Sequence, residues 1–66
     1  MRIDVIICES NEYGMHITDI KRFMDRMDAE DYIAEHDLII TSVQSHFNDY
    51  AHMIKVDIFC KERAKR

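Results

Sequence analysis

The chain contains no proline, a single glycine and only two cysteines among its 66 residues. The scarcity of proline and glycine excludes a flexible linker and a low-complexity tract. Cys8 and Cys60 lie near opposite ends of the chain, unlike the closely spaced cysteines of a disulfide-stabilised secreted domain. No apolar run approaches membrane-spanning length, and charges interrupt "MRIDVIICES" where a signal peptide would be apolar. We therefore expect a reduced, cytoplasmic protein with two buried structural thiols.

The length allows one small domain, which we place at residues 1–60, followed by a basic tail at residues 61–66. Apolar residues make up 47% of the chain, which favours folding over disorder. The net charge is −4, but residues 1–60 hold twelve acids and five bases, a balance of −7. An acidic domain disfavours direct binding to DNA or RNA, because nucleic-acid-binding proteins normally carry a dominant basic patch.

The first half of the chain predicts a strand, a turn and a helix. "RIDVIIC" is rich in β-branched residues, which indicates a strand, and "ESNEYG" ends at the only glycine, which indicates a turn. Apolar residues then recur at helical spacing, which predicts an amphipathic helix. The members of this stripe are Ile17, Ile20, Phe23, Met24 and Met27. The stripe breaks at Asp28, so we expect a kink there and a short second helical segment, "AEDYIAEH", that holds Tyr32 and Ile33 against the core.

The second half of the chain predicts a β-hairpin. "DLIITSVQS" and "YAHMIKVDIFCK" have the composition of strands, and the polar turn "HFND" separates them. The predicted fold is an α+β domain of element order β-α-β-β. Its three-stranded antiparallel sheet has the strand order 1-3-2, and one helix, kinked near Asp28, packs on one face.

A sheet covered on one side leaves apolar residues on its other side, and a chain this short is only marginally stable alone. We therefore predict a homodimer formed by sheet stacking or edge pairing. The residues predicted at the interface are Ile6, Met53 and Phe59. The alternative is that these side chains are ordinary apolar surface of a monomer.

Recognisable catalytic and metal-binding motifs are missing from the sequence. There is no Ser/His/Asp or Cys/His order and no glycine-rich phosphate loop. The histidines and cysteines lack CxxC or HExxH spacing, and the acids around Asp28 lack the spacing and the glycine of a calcium loop. We therefore predict no enzymatic activity, no metal and no cofactor.

The most unusual segment is "DRMDAEDYIAEHD", which carries six acids and one arginine. The acids are Asp25, Asp28, Glu30, Asp31, Glu35 and Asp37. A charge run of this kind is usually a solvated helix end. Closely spaced carboxylates on a rigid scaffold also imitate a phosphate backbone, and they attract a basic groove by electrostatic steering. We predict that the six acids form a partner-binding surface, with the solvated helix end as the alternative.

Four segments resemble, as a pattern, a family of very small sporulation-associated and phage-encoded proteins of Gram-positive bacteria. They are "IDVIIC", "IKRFMDRM", "LIITSVQS" and "MIKVDIFCK". The resemblance implies a first strand, an acidic helix and a hairpin with a closing apolar strand, and it carries over no functional residue. In size and charge the chain is also similar to the host-takeover proteins of lytic phages, which inhibit one host protein by binding it and in some cases imitate DNA.

These observations lead to one functional hypothesis and two alternatives. The hypothesis is an acidic, non-enzymatic protein that binds and inhibits a basic host protein, such as a nucleoid-associated or transcription protein. The first alternative is a small structural or regulatory subunit that docks through its open apolar sheet face. The second is weak nucleic-acid binding through the basic tail "KERAKR".

Overall fold

A computed structural model describes residues 1–63 of the chain and shows four strands and one helix. In chain order the elements are β1 (Arg2–Asn11), β2 (Gly14–Phe23), α1 (Arg26–Glu35), β3 (Leu38–Phe47) and β4 (Met53–Glu62). The strands form a single sheet in the order β2-β1-β4-β3. The helix packs on one face of this sheet, called the helix face below, and the opposite face is called the open face.

The predicted three-stranded antiparallel sheet is wrong. The sheet has four strands and is mixed: β1 and β2 form one antiparallel hairpin, β3 and β4 form another, and β1 pairs with β4 in parallel. The extra strand β2 brings the chain back to the end of the sheet where β1 begins. The helix then carries the chain to the other end, where β3 begins. As a result β3 runs against β1, and β4 runs with it.

The error began at β2, which the apolar spacing predicted as a helix. β2 contains a β-bulge at Thr18: Ile17 lies opposite Cys8 while Ile20 lies opposite Ile6. Because residues 6 and 8 of β1 point to the same face, the extra residue brings Ile17 and Ile20 to that face as well. A three-residue spacing in a bulged strand therefore has the same appearance in sequence as the spacing of a helix.

The helix begins later than predicted and is not kinked. Asp25 is its N-cap residue, and the Asp25 carboxylate accepts a hydrogen bond of 2.7 Å from the Met27 amide. Asp28 lies in the first turn of a continuous helix, so the predicted kink at Asp28 is also wrong. Met24 and Met27, predicted on the buried stripe, are largely exposed.

The core lies between α1 and the central strands. Ile3, Val5 and Ile7 of β1 are buried beneath Ala29 and Ile33 of α1. The core also includes Leu38 and Cys60, with Phe23, Tyr32, Val56 and Ile58 packed against it. Ala29 is fully buried, and its small side chain lets the helix approach the sheet closely.

Short polar turns close the two hairpins. At the β1–β2 turn the Asn11 side chain accepts a hydrogen bond from the Tyr13 amide, and Gly14 has a φ of 116°, which favours glycine. At the β3–β4 turn the Asn48 side chain accepts hydrogen bonds from the amides of Tyr50 and His52. The side chains of two asparagines thus fix where each hairpin reverses.

The end of the chain continues the sheet further than the predicted domain boundary at residue 60. β4 runs to Glu62, so Lys61 belongs to a strand, and the Arg63 side chain lies 3.1 Å from the Asp37 carboxylate. The rest of the predicted basic tail, residues 64–66, lies outside the described residues. Over residues 1–63, no helix has the length and apolar character needed to cross a membrane.

Candidate interaction site

The helix presents its acids in three different ways. Asp25 caps the helix, as described above. Glu30 is held by Arg26 one turn earlier at 3.1 Å, and Asp37, which follows the helix with a φ of 51°, is held by Arg63. Asp28, Asp31 and Glu35 are exposed, and none of the three has a hydrogen-bond or ion-pair partner within residues 1–63.

These three unpaired carboxylates are called the acidic stripe below, because Asp28, Asp31 and Glu35 follow one another at helical spacing. The helix beneath them is firmly oriented. The Tyr32 ring packs on the Phe23 ring of β2 with centroids 5.4 Å apart, and Ile33 is buried in the core. The predicted partner-binding set therefore divides into a three-residue stripe that is free to interact and three residues with local structural roles.

The predicted dimer-interface residues do not share one surface. Ile6 and Phe59 lie opposite each other on neighbouring strands and point to the open face, where Ile6 is buried and Phe59 half-buried. Met53 lies elsewhere, because an extra residue in β4, Ile54, shifts the register next to Phe47. Met53 instead lines a groove on the helix face.

The open face carries an ion-pair network that the sequence analysis did not identify. Asp4 and Asp57 lie opposite each other on β1 and β4 and are only 4% and 7% exposed. The Lys55 ammonium bridges them, at 3.4 Å from Asp4 Oδ2 and 3.1 Å from Asp57 Oδ1. Arg22 Nε lies 3.2 Å from Asp4, and His46 Nε2 lies 2.8 Å from Asp57. The available signal was the presence of Lys55 and Asp57 in the middle of an otherwise apolar strand.

The network sets the protonation state of Asp57, one of its two buried acids. Burial by itself raises the pKa of the Asp57 carboxyl, but the hydrogen bonds and positive charges of His46 and Lys55 outweigh burial and lower that pKa below its ordinary value. Asp57 is therefore ionised at neutral pH. The arrangement partly neutralises the basic residues of the open face, while the carboxylates of the acidic stripe have no ion-pair partner within residues 1–63.

The two thiols lie on opposite faces of the sheet. Cys60 is fully buried beneath the helix, and Cys8 is half-buried on the open face. Burial, with a smaller contribution from Cys8, raises the pKa of the Cys60 thiol. Both cysteines are free, and within residues 1–63 there is no group of three or more His, Cys, Asp or Glu side chains able to hold a metal ion.

An apolar groove of about 300 Å³ lies on the helix face beside α1. Its floor and outer wall are formed by β3 and β4, and its inner wall is formed by Arg26, Glu30 and Ile33 of the helix. The residues of β3 and β4 that line it are Ile40, Val43, Ser45, Met53, Val56 and Ile58, and Ile3 of β1 adds to the lining. The predicted three-stranded sheet leaves no such groove, because one helix would cover most of a narrower sheet. A helix about 10 Å wide covers roughly half of four strands spaced about 4.8 Å apart.

No family model matches the chain, and neither a curated protein nor a solved structure is significantly similar to it.

Proposed function

We propose that the protein is a non-enzymatic interaction protein that binds a basic protein partner through the acidic stripe of α1. The observation that carries this proposal is that Asp28, Asp31 and Glu35 are exposed, unpaired within residues 1–63 and fixed in position by a buried helix face. Unpaired carboxylates on a fixed scaffold attract positive charge without first breaking internal ion pairs.

The distribution of charge supports the same surface. Residues 25–37 carry six acids and one arginine, and they form the helix and its two ends. The basic residues Arg2, Arg22 and Lys55 lie on the open face, where Asp4 and Asp57 partly neutralise them. The molecule is therefore acidic on its helix side, and a basic partner would approach from that side.

The spacing of the stripe sets the size of the contact. At 1.5 Å rise per residue, Asp28 to Glu35 spans roughly 10 Å, so three charges lie about 5 Å apart along the helix. A DNA strand carries one phosphate per about 3.4 Å of helix axis. The stripe thus imitates a short length of one strand, sufficient to occupy part of a DNA-binding groove. In this proposal the protein acts in the cytoplasm on a DNA-binding partner, as its similarity in kind to phage inhibitors implies.

The experiment measures binding to a purified basic nucleoid-associated protein at low and high salt. The test variant carries Asp28→Asn, Asp31→Asn and Glu35→Gln. The control carries Glu9→Gln, Glu12→Gln and Asp49→Asn. It changes the net charge by the same amount as the test variant, but at sites on the two hairpins instead of the helix. We expect the test variant to associate at least tenfold more slowly than the control, because steering depends on local charge.

Bare duplex DNA provides the second measurement. If the stripe occupies the DNA-binding groove of the partner, DNA competes with the protein for that partner, and added salt weakens the complex steeply. If the test variant and the control associate equally fast, or if DNA and the protein bind the partner together, the proposal is wrong.

A second candidate function is a small subunit that docks through an apolar surface. The exposed apolar side chains of β3 favour it, and its complex would resist salt. The third candidate function is nucleic-acid binding through the tail. Two of the basic residues of that tail already have structural roles, because Lys61 lies within β4 and Arg63 contacts Asp37. A gel shift with bare DNA tests that candidate directly.

A further inference from the structure

The two edge strands of the sheet differ in how their free backbone edges are protected. β2 carries Asp19, Lys21 and Arg22, whereas β3, "LIITSVQSHF", has no acidic or basic residue except His46. An edge strand has unpaired N–H and C=O groups, and charged side chains are a usual means of keeping other strands away. β3 is therefore the unprotected edge of this sheet.

The same strand exposes apolar side chains that a monomer leaves in water. Val43 is 58% exposed, Phe47 is 57% exposed, and Ile40 is exposed to a similar degree. Val43 and Ile40 also line the groove beside α1, so the free edge and the groove form one continuous apolar surface. Such continuity is typical of an interaction surface.

We infer that a second copy of this chain pairs with β3 in antiparallel fashion, about a two-fold axis through Ser45. A bulge at Thr41, whose hydroxyl donates to the Phe59 carbonyl, interrupts β3 near its start. The regular part of β3 is therefore Ser42–Phe47, and any symmetric pairing must use it. This surface is separate from the acidic stripe, so the inference does not depend on the proposed function.

A two-fold axis through a residue of β3 places directly opposite side chains on the same face, and among such registers the one about Ser45 brings apolar residues together. In this register Val43 lies opposite Phe47 of the second copy, and Gln44 lies opposite His46 of the second copy. A β-branched side chain opposite an aromatic one is a favourable cross-strand pair, and no like charges oppose each other. The strand is thus complementary to itself, as a two-fold interface requires.

The groove fits the same arrangement. The ring of Phe47 of the second copy stands beside Val43, at the mouth of a groove of about 300 Å³ that accommodates an apolar side chain. The helix of a second copy does not suit the groove, because its outward side carries Asp28, Asp31 and Glu35. Burying those carboxylates against isoleucine and valine without partners is unfavourable.

The contact is small, which sets the expected strength. Five or six residues from each strand bury less than the roughly 1,200–2,000 Å² of a standard stable interface. We therefore expect a monomer–dimer equilibrium rather than a permanent dimer. Sedimentation equilibrium at protein concentrations from about 10 μM to about 1 mM detects a dimer whose dissociation constant lies within that range. The weight-average mass should rise with concentration from 7.9 kDa towards twice that value.

Two lysine substitutions on opposite edges make a matched comparison. Val43→Lys on β3 should raise the dimer dissociation constant at least tenfold, because each copy then places a charged lysine opposite Phe47 of the other copy. Ile20→Lys on β2, a site of similar exposure, should leave the constant unchanged. Circular dichroism should show that both variants keep the sheet. Equal effects of the two substitutions, or a wild type that stays monomeric up to about 1 mM, would overturn the inference.

A cross-link tests the register independently of stability. In a Cys8→Ser background, Ser45→Cys places two thiols opposite each other across the axis, at a separation that suits a disulfide. Mild oxidation should give a covalent dimer at least tenfold faster than Ser10→Cys, which lies at the far end of β1. Equal rates for the two variants would show that β3 is not the interface.

Discussion

Replacing Lys55 with methionine should destabilise the protein strongly, although the change removes a charge from a sheet face without a covering layer. The Lys55 ammonium is the bridge between Asp4 and Asp57, which lie directly opposite each other on adjacent strands. Without it, two carboxylates that are 4% and 7% exposed face one another. Methionine keeps most of the side-chain volume, so the change is mainly electrostatic.

The expected cost follows from the partners that remain. Removing one member of a buried ion pair typically costs about 3–5 kcal/mol, because the other charge is left buried and uncompensated. Here Arg22 still holds Asp4 and His46 still holds Asp57, and the Lys55 side chain is 27% exposed. We therefore expect a loss of about 2–4 kcal/mol. A chain of this size has about 3–10 kcal/mol of folding stability, so the variant should lie close to unfolding.

The dependence of stability on pH should differ between the variant and the wild type. In the wild type the pKa of Asp57 is lowered below its ordinary value of 3.8. Its stabilising effect is therefore present above that pH and is lost as the pH falls through the folded-state pKa. In Lys55→Met, burial and the facing carboxylate favour the protonated acid, so the folded state takes up protons more readily than the unfolded state. Stability of the variant should then increase as the pH is lowered from 7 towards 5.

Urea unfolding followed by far-ultraviolet circular dichroism suits this test, because the chain has no tryptophan to report by fluorescence. Lys21→Met is the control, since Lys21 is exposed on β2, and it should change stability by less than about 0.5 kcal/mol. Adding Asp57→Asn to Lys55→Met should restore part of the loss. A Lys55→Met protein as stable as the control at pH 7, or one whose stability does not increase between pH 7 and pH 5, would refute the reasoning.

Two further predictions concern single side chains. Cys60 should resist alkylation by iodoacetamide at about pH 8 until the protein unfolds, because the thiol is buried and its pKa is raised. Cys8 should react in the folded state, and equal rates of alkylation for the two thiols would contradict this prediction. Asp25→Ala removes the carboxylate that accepts from the Met27 amide and should cost about 1 kcal/mol in thermal or urea unfolding. Asp31→Ala, which removes an acid of the same helix that has no partner among residues 1–63, should cost less, and a larger loss there would argue against the capping role.

The sequence was sufficient to predict the strands in which β-branched residues dominate. β1, β3 and β4 correspond to the three predicted strands, and the short helical segment predicted around Tyr32 and Ile33 corresponds to part of α1. Local preference is informative in these segments because the side chains that favour a strand or a helix are also the ones that pack in the core. The exposed charges of α1 were similarly visible as a run of acids, whereas their division into capping, paired and unpaired carboxylates was not.

The region between residues 14 and 24 shows why the rest required the tertiary structure. Ile17, Ile20 and Phe23 have a spacing that is compatible with a helix and with a bulged strand, and the preferences of single residues do not distinguish the two. Pairing with β1 decides the matter, because the Thr18 hydroxyl bonds to the Ile7 carbonyl and the extra residue is accommodated there. Hydrogen bonds to a distant strand therefore outweigh an apparent local period.

The presence of β2 decided which strands of the sheet pair in parallel and which pair in antiparallel fashion. The sequence alone was enough to predict the acidic charge, the two free thiols and the existence of an α+β domain. These properties depend on the total charge, on the positions of the cysteines in the chain and on the local preferences of each segment. Other features depend on which strands become neighbours in the sheet. They are the parallel pairing of β1 with β4, the contact of Lys55 with Asp4 and Asp57, the groove and the free edge of β3. Neighbours are chosen by contacts between residues far apart in the chain, and those contacts exist only once the sheet has formed.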